Sequence, residues 1–438
     1  MSRTENYVAT IRAALRNPAA PRVVQLCAPN GFGKTAVARS FVETYGGHYF
    51  SFRHMEASLA PKLFRPGCAD WDDFFSGFQA TKNRPVIFFD DMDDRNDKIK
   101  FLNVLRKHLE HISVVLIYGI PATVPFPCTV IELKPMTVPE VWDSFPGISQ
   151  VDALRLTAVT NGIPLMITQY KPHLSFEDNL RLFFLPGSVY LRYAEDQLRQ
   201  VFRSPESYNT LLYAMAAGNN RISQIAAFSG YPKNKCDKYI KALDAAGFIE
   251  QRTRRDQAGT MRTHYYPRGG YYRAWYELYF PHQNHFDKLL IGDAVSELLN
   301  RIDQISTIPF FKRVCMRYIY KAEWHLYRHD ILMLDDPANY DSVLNGCLFD
   351  YFQVDAGQSI FVKIWDSVTE SMPKKEFARI DAATVKERPF YENIYVLFSI
   401  CRFTNFYEEI NGTYGNVHTV CLKTLLQKKY CSVFSLSD

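Results

Sequence analysis

Residues 28–35 read Ala-Pro-Asn-Gly-Phe-Gly-Lys-Thr, and a run of this kind works only as a tight connection between a strand and a helix. It fits G-x-x-x-x-G-K-[ST] with Ala28 in place of the first glycine. Gly31 and Gly33 accept backbone conformations that other residues avoid, so they can turn N–H groups towards an anion. Lys34 brings a point charge suited to β- and γ-phosphates, and the Thr35 hydroxyl can ligate Mg²⁺. The expected nucleotide contacts are Asn30, Gly31, Phe32, Gly33, Lys34, Thr35 and Ala36. A helix starting near Lys34 would point its positive dipole end at the phosphates. The flanks fit this demand. Residues 22–27, Arg-Val-Val-Gln-Leu-Cys, read as a buried parallel strand, and residues 35–45 read as a helix.

A second motif, Val-Ile-Phe-Phe-Asp-Asp at 86–91, is an apolar run ending in two carboxylates. As a strand of the same sheet it would deliver Asp90 and Asp91 to the carboxyl edge beside the loop. Asp90 is then the acid expected at the Mg²⁺, with Thr35. Asp91 is expected to polarise an attacking water, with Lys34 on the phosphates. Together the motifs imply binding of ATP or ADP with Mg²⁺.

At 438 residues the chain has room for about three domains. Its 47% hydrophobic content supplies ample core. The net charge of +5 names no partner. Nine cysteines are scattered without a C-x-x-C pair. That spacing argues against a zinc site or a disulfide framework and suits a reducing, cytoplasmic setting. The first residues lack the pattern of a signal peptide, and no apolar stretch approaches about 18 residues, so no membrane span is expected.

Residues 1–135 alternate strand-like and helix-like segments. His48 to Phe52, Ser113 to Tyr118 and Thr129 to Leu133 join the two motif strands, which predicts a parallel α/β sheet. Residues 136–202 turn helical. Residues 203–290 begin with helices over 208–216, 222–228 and 233–246. Strands follow near 248–252 and 263–266, an order that reads as a winged helix-turn-helix. Lys233, Lys235, Lys238 and Lys241 lie on the third helix, and Arg252, Arg254, Arg255 and Arg262 on the wing. Residues 221–275 hold eleven Lys and Arg against four Asp and Glu, an excess above that of the whole chain. Such a face can bind the phosphates of duplex DNA. The same lysines could equally be the solvated face of a protein-docking module. The aromatic segment 265–286 is read as core packing in preference to a base-stacking platform.

Several motifs occur in one order: the phosphate loop, the paired aspartates, Asn161-Gly-Ile-Pro164, Leu182-Phe-Phe-Leu-Pro-Gly187 and Arg203-Ser-Pro-Glu-Ser-Tyr-Asn-Thr-Leu-Leu-Tyr-Ala-Met-Ala-Ala-Gly218. Ile222 to Ala226 and Tyr239 to Leu243 follow. Over about residues 15–290 the chain resembles the archaeal-type ATPases, a STAND-like branch of the AAA+ P-loop proteins. That resemblance implies an α/β fold with an AAA+-type parallel sheet, a helical lid, a winged helix-turn-helix and a C-terminal α/β domain like restriction endonucleases, here residues 291–438. Residues 309–318 resemble the opening helix of that last domain. Residues 348–354 and 359–365 resemble the hairpin that bears its nuclease residues, and 395–399 resemble a later core strand. Asp350 and Lys363 match the nuclease pattern, but Phe361 stands where an acid is required two residues before the lysine. Asp355 or Asp366 could substitute only in a shifted register. The domain is therefore expected to be degenerate and noncatalytic. The alternative for Asp350 and Lys363 is two ordinary polar residues on an open sheet face.

Three departures from the family pattern imply slow hydrolysis. Asp91 stands in place of the usual glutamate. Gly119-Ile-Pro121 follows the strand where a γ-phosphate sensor would sit, leaving Thr123 as the nearest candidate. No arginine lies between Arg106 and Arg155, and a missing arginine finger can cost on the order of 10³-fold in rate. The expected function is an ATP-binding switch with a DNA-binding winged helix, its turnover dependent on a partner or self-association. The alternatives are a nucleotide-stabilised protein-interaction scaffold and, further off, an ATP-regulated nuclease.

Overall fold

The computed structural model describes residues 3–17, 19, 21–53, 56, 59–78, 84–94, 97–255, 261–284, 286, 290, 294–321, 342–354, 359–387 and 389–434. The chain divides into two compact units, one built on Met1–Pro135 with Ile163–Leu165, the other on Met136–Gly162 with Met166–Leu436.

The first unit is organised by five parallel strands: β1 (Val23–Cys27), β2 (His48–Ser51), β3 (Val86–Asp90), β4 (Ser113–Tyr118) and β5 (Thr129–Glu132). Their order in the sheet is β2-β3-β4-β1-β5, with every pairing parallel. This is the parallel α/β sheet that the apolar runs predict. β1 and β4 are buried at every position, as a strand covered on both faces must be. Gln25 is the polar exception within β1. It is buried, but its amide donates to the Ala122 carbonyl at 2.8 Å and accepts from the Ala122 N–H at 2.9 Å, so its polar atoms are satisfied. One face of β3 meets a cluster of rings. Phe89 lies 5.1 Å from Phe101, and Trp71 lies 4.8 Å from Phe101, centroid to centroid and edge-on, the geometry that ring quadrupoles favour.

The second unit begins with helices Val138–Ser144, Gln150–Thr160, Phe176–Phe183 and Val189–Val201. Each opens on a hydroxyl residue, Thr137, Ser149, Ser175 or Ser188, whose side chain accepts an N–H from the first turn. Such caps contribute about 1 kcal/mol each. Helices Glu206–Ala216, Ile222–Ser229 and Lys233–Ala245 follow, then the antiparallel hairpin of β6 (Ile249–Arg255) and β7 (Met261–Pro267). The sequence pattern places these five elements to within one or two residues, apart from the longer strands.

The aromatic segment after β7 is core. Tyr271, Trp275 and Tyr276 are fully buried, and each polar tip finds a partner. The Tyr271 hydroxyl donates to the Tyr190 carbonyl at 2.6 Å, the Trp275 indole to the Leu191 carbonyl at 2.9 Å, and the Tyr276 hydroxyl to Asn209 Oδ1 at 2.6 Å. Gly270 is required here, because a Cβ would strike the Ala158 carbonyl oxygen.

Toward the C-terminus come helices Ala294–Ile302 and Ile308–Lys321. A small ribbon of β8 (Ser342–Leu344) and β9 (Cys347–Phe349) precedes a sheet of order β10-β11-β12-β13. Its strands are Tyr351–Val354, Ser359–Trp365, Asn393–Ser399 and Val417–Cys421. β10 and β11 are antiparallel, while β11, β12 and β13 run parallel. No helix among the described residues is long and apolar enough to cross a membrane.

A buried ion pair joins two helical stretches of this unit. Arg155 grips Asp303 with two bonds, Nε to Oδ1 at 3.1 Å and an amino group to Oδ2 at 2.8 Å. Removing one partner of such a pair leaves an uncompensated charge. Arg155→Ala is expected to destabilise this unit by about 3–5 kcal/mol, seen as a lower denaturant midpoint for its unfolding transition while the nucleotide affinity of the first unit is unchanged.

Candidate functional site

The loop after β1 takes the conformation its glycines permit. Gly31 and Gly33 have φ of 86° and 90°, a region costly for any residue with a Cβ. Gly33 caps the helix Lys34–Tyr45. The first N–H groups of that helix lack partners within it and belong to Lys34, Thr35 and Ala36. Asn30 and Pro29 are exposed at the rim, while Phe32 is buried and anchors the loop to the core. The Gly31 carbonyl accepts the N–H of Leu165 at 2.9 Å, so the residues just after Asn161-Gly-Ile come back to the phosphate loop.

Lys34 folds over its own loop. Its amine donates to the Ala28 carbonyl at 2.5 Å, with the Pro29 carbonyl at 3.3 Å and Asn30 Oδ1 at 3.4 Å. Burial lowers its pKa from the ordinary lysine value, and Asp90, Asp93 and Asp91 pull it back up. A phosphate could replace the three oxygens that the amine now holds.

β3 brings the two aspartates to this edge. Asp90 is buried, and its Oδ2 accepts the Thr35 hydroxyl at 2.7 Å. The same oxygen accepts the Tyr49 hydroxyl at 2.6 Å. Asp91 sits at φ 58°, a left-handed conformation that costs a non-glycine residue roughly 1–2 kcal/mol and often marks functional positions. Its N–H donates to Asp90 Oδ1 at 2.8 Å, and its Oδ2 accepts the Ser51 hydroxyl at 2.6 Å. Thr35 and Asp90 offer adjacent hard oxygens, the donor chemistry that Mg²⁺ prefers.

Sequence reasoning missed three residues here. Tyr49 and Ser51 come from β2, whose register pairs Ser51 with Asp90, and nothing in their own sequence context marks them. Asp93 accepts the Gly119 N–H at 2.5 Å, occupying the strand end where a γ-phosphate sensor was sought. Thr123 lies exposed beyond it.

The basic residues of the second unit divide. Lys233 and Lys238 are exposed on the helix Lys233–Ala245. Lys241 pairs with Asp237 at 2.7 Å, and the Lys235 amine lies 3.8 Å from the centre of the Tyr231 ring. Arg252 corrects the expectation of an outward wing contact. Its guanidinium turns in to Glu250 at 2.7 Å and lies over the Tyr266 ring, because a buried carboxylate needs cations close by. The side chains of Arg254 and Arg255 lie outside the described residues.

In the C-terminal sheet, Asp350 Oδ2 accepts the Ile364 N–H at 2.7 Å, and Oδ1 pairs with Lys312 at 2.8 Å. Lys363 donates to the Leu348 carbonyl at 2.6 Å and stands 3.9 Å from Glu376. Both side chains are therefore committed to internal partners. The open-face alternative is corrected as well: Lys363 is buried, because β12 flanks β11 and helix Lys374–Thr384 supplies Glu376. Phe361 is a core ring, 5.4 Å from Phe349 and 5.9 Å from Tyr395. Asp366 is exposed, and Asp355 lies outside the described residues. Among the described residues no group of three His, Cys, Asp or Glu could hold a metal.

Residues 24–121 match the model of the ATPase family associated with various cellular activities (AAA). An uncharacterized protein of Methanocaldococcus jannaschii is 25% identical over 226 residues, 47% of this chain and 50% of that protein. The chain thus spans about half the length of the curated relative it matches. Among solved structures, the Walker-type ATPase of Pyrococcus abyssi aligns at 14% identity and TM-score 0.46, covering 64% of this chain and 96% of that one. The Orc1 protein of Aeropyrum pernix, solved with DNA, aligns at 14% identity and TM-score 0.32, covering 68% and 93%.

Tyr49→Phe removes one charge-assisted bond to Asp90 and leaves Thr35 and the loop intact. It is expected to lower the stability of the first unit by about 1.5–3 kcal/mol with nucleotide binding retained, checked by unfolding and nucleotide titration on the same preparation.

Proposed function

We propose that this chain, whose residues 24–121 form a AAA-family ATPase domain, is an ATP-binding switch with slow Mg²⁺-dependent hydrolysis. The observation that carries the reading is the Thr35 hydroxyl held 2.7 Å from Asp90 at the end of the phosphate loop. The loop amides and Lys34 bind the phosphates, Thr35 and Asp90 hold the metal, and Asp91 orients water. Mg²⁺, when bound, neutralises charge on the phosphate oxygens. Asp91 is one methylene shorter than a glutamate, and the sequence supplies no arginine between Arg106 and Arg155, so intrinsic turnover is slow.

In this reading the three helices and hairpin of residues 206–267 act as a winged helix that binds duplex DNA through Lys233, Lys235, Lys238 and Lys241 and through the wing arginines 254 and 255. The C-terminal sheet is a nuclease-like module without catalysis. Nucleotide state drives the switch only through contacts that differ between the ATP-bound and free forms. The second reading is a nucleotide-stabilised scaffold that binds proteins. The Lys241–Asp237 pair favours it, since it removes a charge from the exposed phosphate-binding set.

ATP turnover by the whole chain, with and without duplex DNA, tests both, with Lys34→Ala as the blank. Turnover that rises with DNA supports the DNA-responsive switch. Turnover at the blank with ATP still bound supports the scaffold. Asp91→Ala is expected to keep ATP binding and to abolish any residual turnover. Neutralising Lys233 and Lys238 together is expected to weaken DNA affinity several-fold at low salt and little at high salt, read by fluorescence anisotropy.

A further inference from the structure

A cluster of charge lies away from the phosphate loop, where β6, β7 and two helices of the second unit meet. Glu250 of β6 is its centre. Oε1 accepts from Arg252 at 2.7 Å and, in a short contact, from Arg273. Oε2 faces Arg313 at 3.4 Å. Arg273 also donates through Nε to the Pro267 carbonyl at 3.3 Å. The Tyr266 ring carries two of the guanidinia, Arg252 at 5.0 Å and Arg273 at 5.6 Å from its centre.

Among the described residues the charges do not balance. Three guanidinia surround one carboxylate, and all four side chains are between 15% and 26% exposed. The next carboxylate that acts on Arg273 is Glu277, which already stands opposite Arg301 at 3.9 Å. Arg317 adds a further positive charge on Arg313. The crowding registers in the titration of these groups. Burial pushes Arg313 down to about 10 against the pull of Glu250, and Arg273, Arg252 and Arg317 add to the fall. Burial raises the Glu250 carboxyl, but Arg273, Arg252 and Arg313 outweigh it and hold the acid below its ordinary value.

A structural pin needs one or two arginines for a carboxylate. A third positive charge in a half-buried cluster is less favourable than the first two, and an anion would relieve it. A guanidinium carries five donors in a planar fork, and the bonds named above use one from Arg252, two from Arg273 and one from Arg313. The remaining donors are of the kind that grips phosphate oxygens in pairs.

We propose that Arg252, Arg273 and Arg313 form a binding site for a phosphate group, with Glu250 as its built-in competitor. The phosphate is either inorganic or part of a nucleic-acid backbone. A bound phosphate would draw together the hairpin, through Arg252, and the helix Ile308–Lys321, through Arg313. The site is separate from the nucleotide loop and stands whether or not the exposed lysines bind DNA.

The test uses the whole chain carrying Lys34→Ala, so that the loop contributes least. Inorganic phosphate and a short duplex oligonucleotide are titrated calorimetrically at fixed ionic strength. Arg252→Gln is expected to weaken binding at least about tenfold, the loss of a charge-assisted contact. Glu250→Gln is expected to tighten it several-fold, the opposite of what a structural pin predicts. Arg252→Lys, which keeps the charge and loses the fork, should fall between. The ranking seen with inorganic phosphate assigns a free anion as ligand; the ranking seen with the oligonucleotide alone assigns backbone phosphate. Should Glu250→Gln fail to fold, the Arg252 pair decides. Affinities for both probes that ignore the Arg252 substitutions, with only the unfolding temperature shifted, would overturn the proposal.

Discussion

Parallel pairing of β4 with both β1 and β3 brings the end of one strand, where the glycine loop begins, to the same edge as the end of another, where two carboxylates stand. Every interaction at the nucleotide site depends on that alignment. Parallel strands share a direction, so their carboxyl ends collect together. The Thr35 hydroxyl then lies within hydrogen-bond reach of Asp90 across 55 residues of sequence. The same edge gathers Tyr49 and Ser51 from β2 and Asp93 from the turn after β3. Thr35, Tyr49 and the Asp91 N–H hold both Asp90 oxygens, and Ser51 holds one oxygen of Asp91. The three loop acceptors of Lys34 hold its amine over the loop. Such preorganisation reduces what a phosphate must rearrange on binding.

The second unit solves a different problem, that of joining a helical array, a hairpin and a C-terminal sheet. It does so with polar groups that are buried and paired. Tyr271, Trp275 and Tyr276 present large apolar bodies to the core while each tip meets a backbone or amide oxygen. Gly269 and Gly270 allow the chain to pass against Ala158 and Asn161 without a Cβ in the way. Arg155 and Asp303 lock two helices by a forked ion pair. Glu250 is the contrasting case, with more positive charge around it than one carboxylate can neutralise.

In the C-terminal sheet, the two polar residues singled out in the sequence are bound into the structure. Asp350 and Lys363 keep their places in sequence, yet each side chain is spent on the sheet itself. Between them in sequence, Phe361 packs among Phe349, Phe352 and Tyr395.

The sequence by itself determined the phosphate loop, the apolar strands, the parallel sheet and the run of helices and hairpin in residues 206–267. These follow from local rules: glycine freedom, uninterrupted apolar runs, hydroxyl caps and turn residues, each acting over a few neighbours. Only the tertiary structure decided which charges face outward. Arg252 and Lys238 look alike in sequence, but one turns to a buried carboxylate and the other to solvent, because β7 and two helices close over Glu250. Tyr49, Ser51 and Asp93 were hidden for the same reason. Their partners lie on other strands, and strand register, which sets which hydroxyl meets which carboxylate, depends on pairing across the sheet and on no residue's own neighbours.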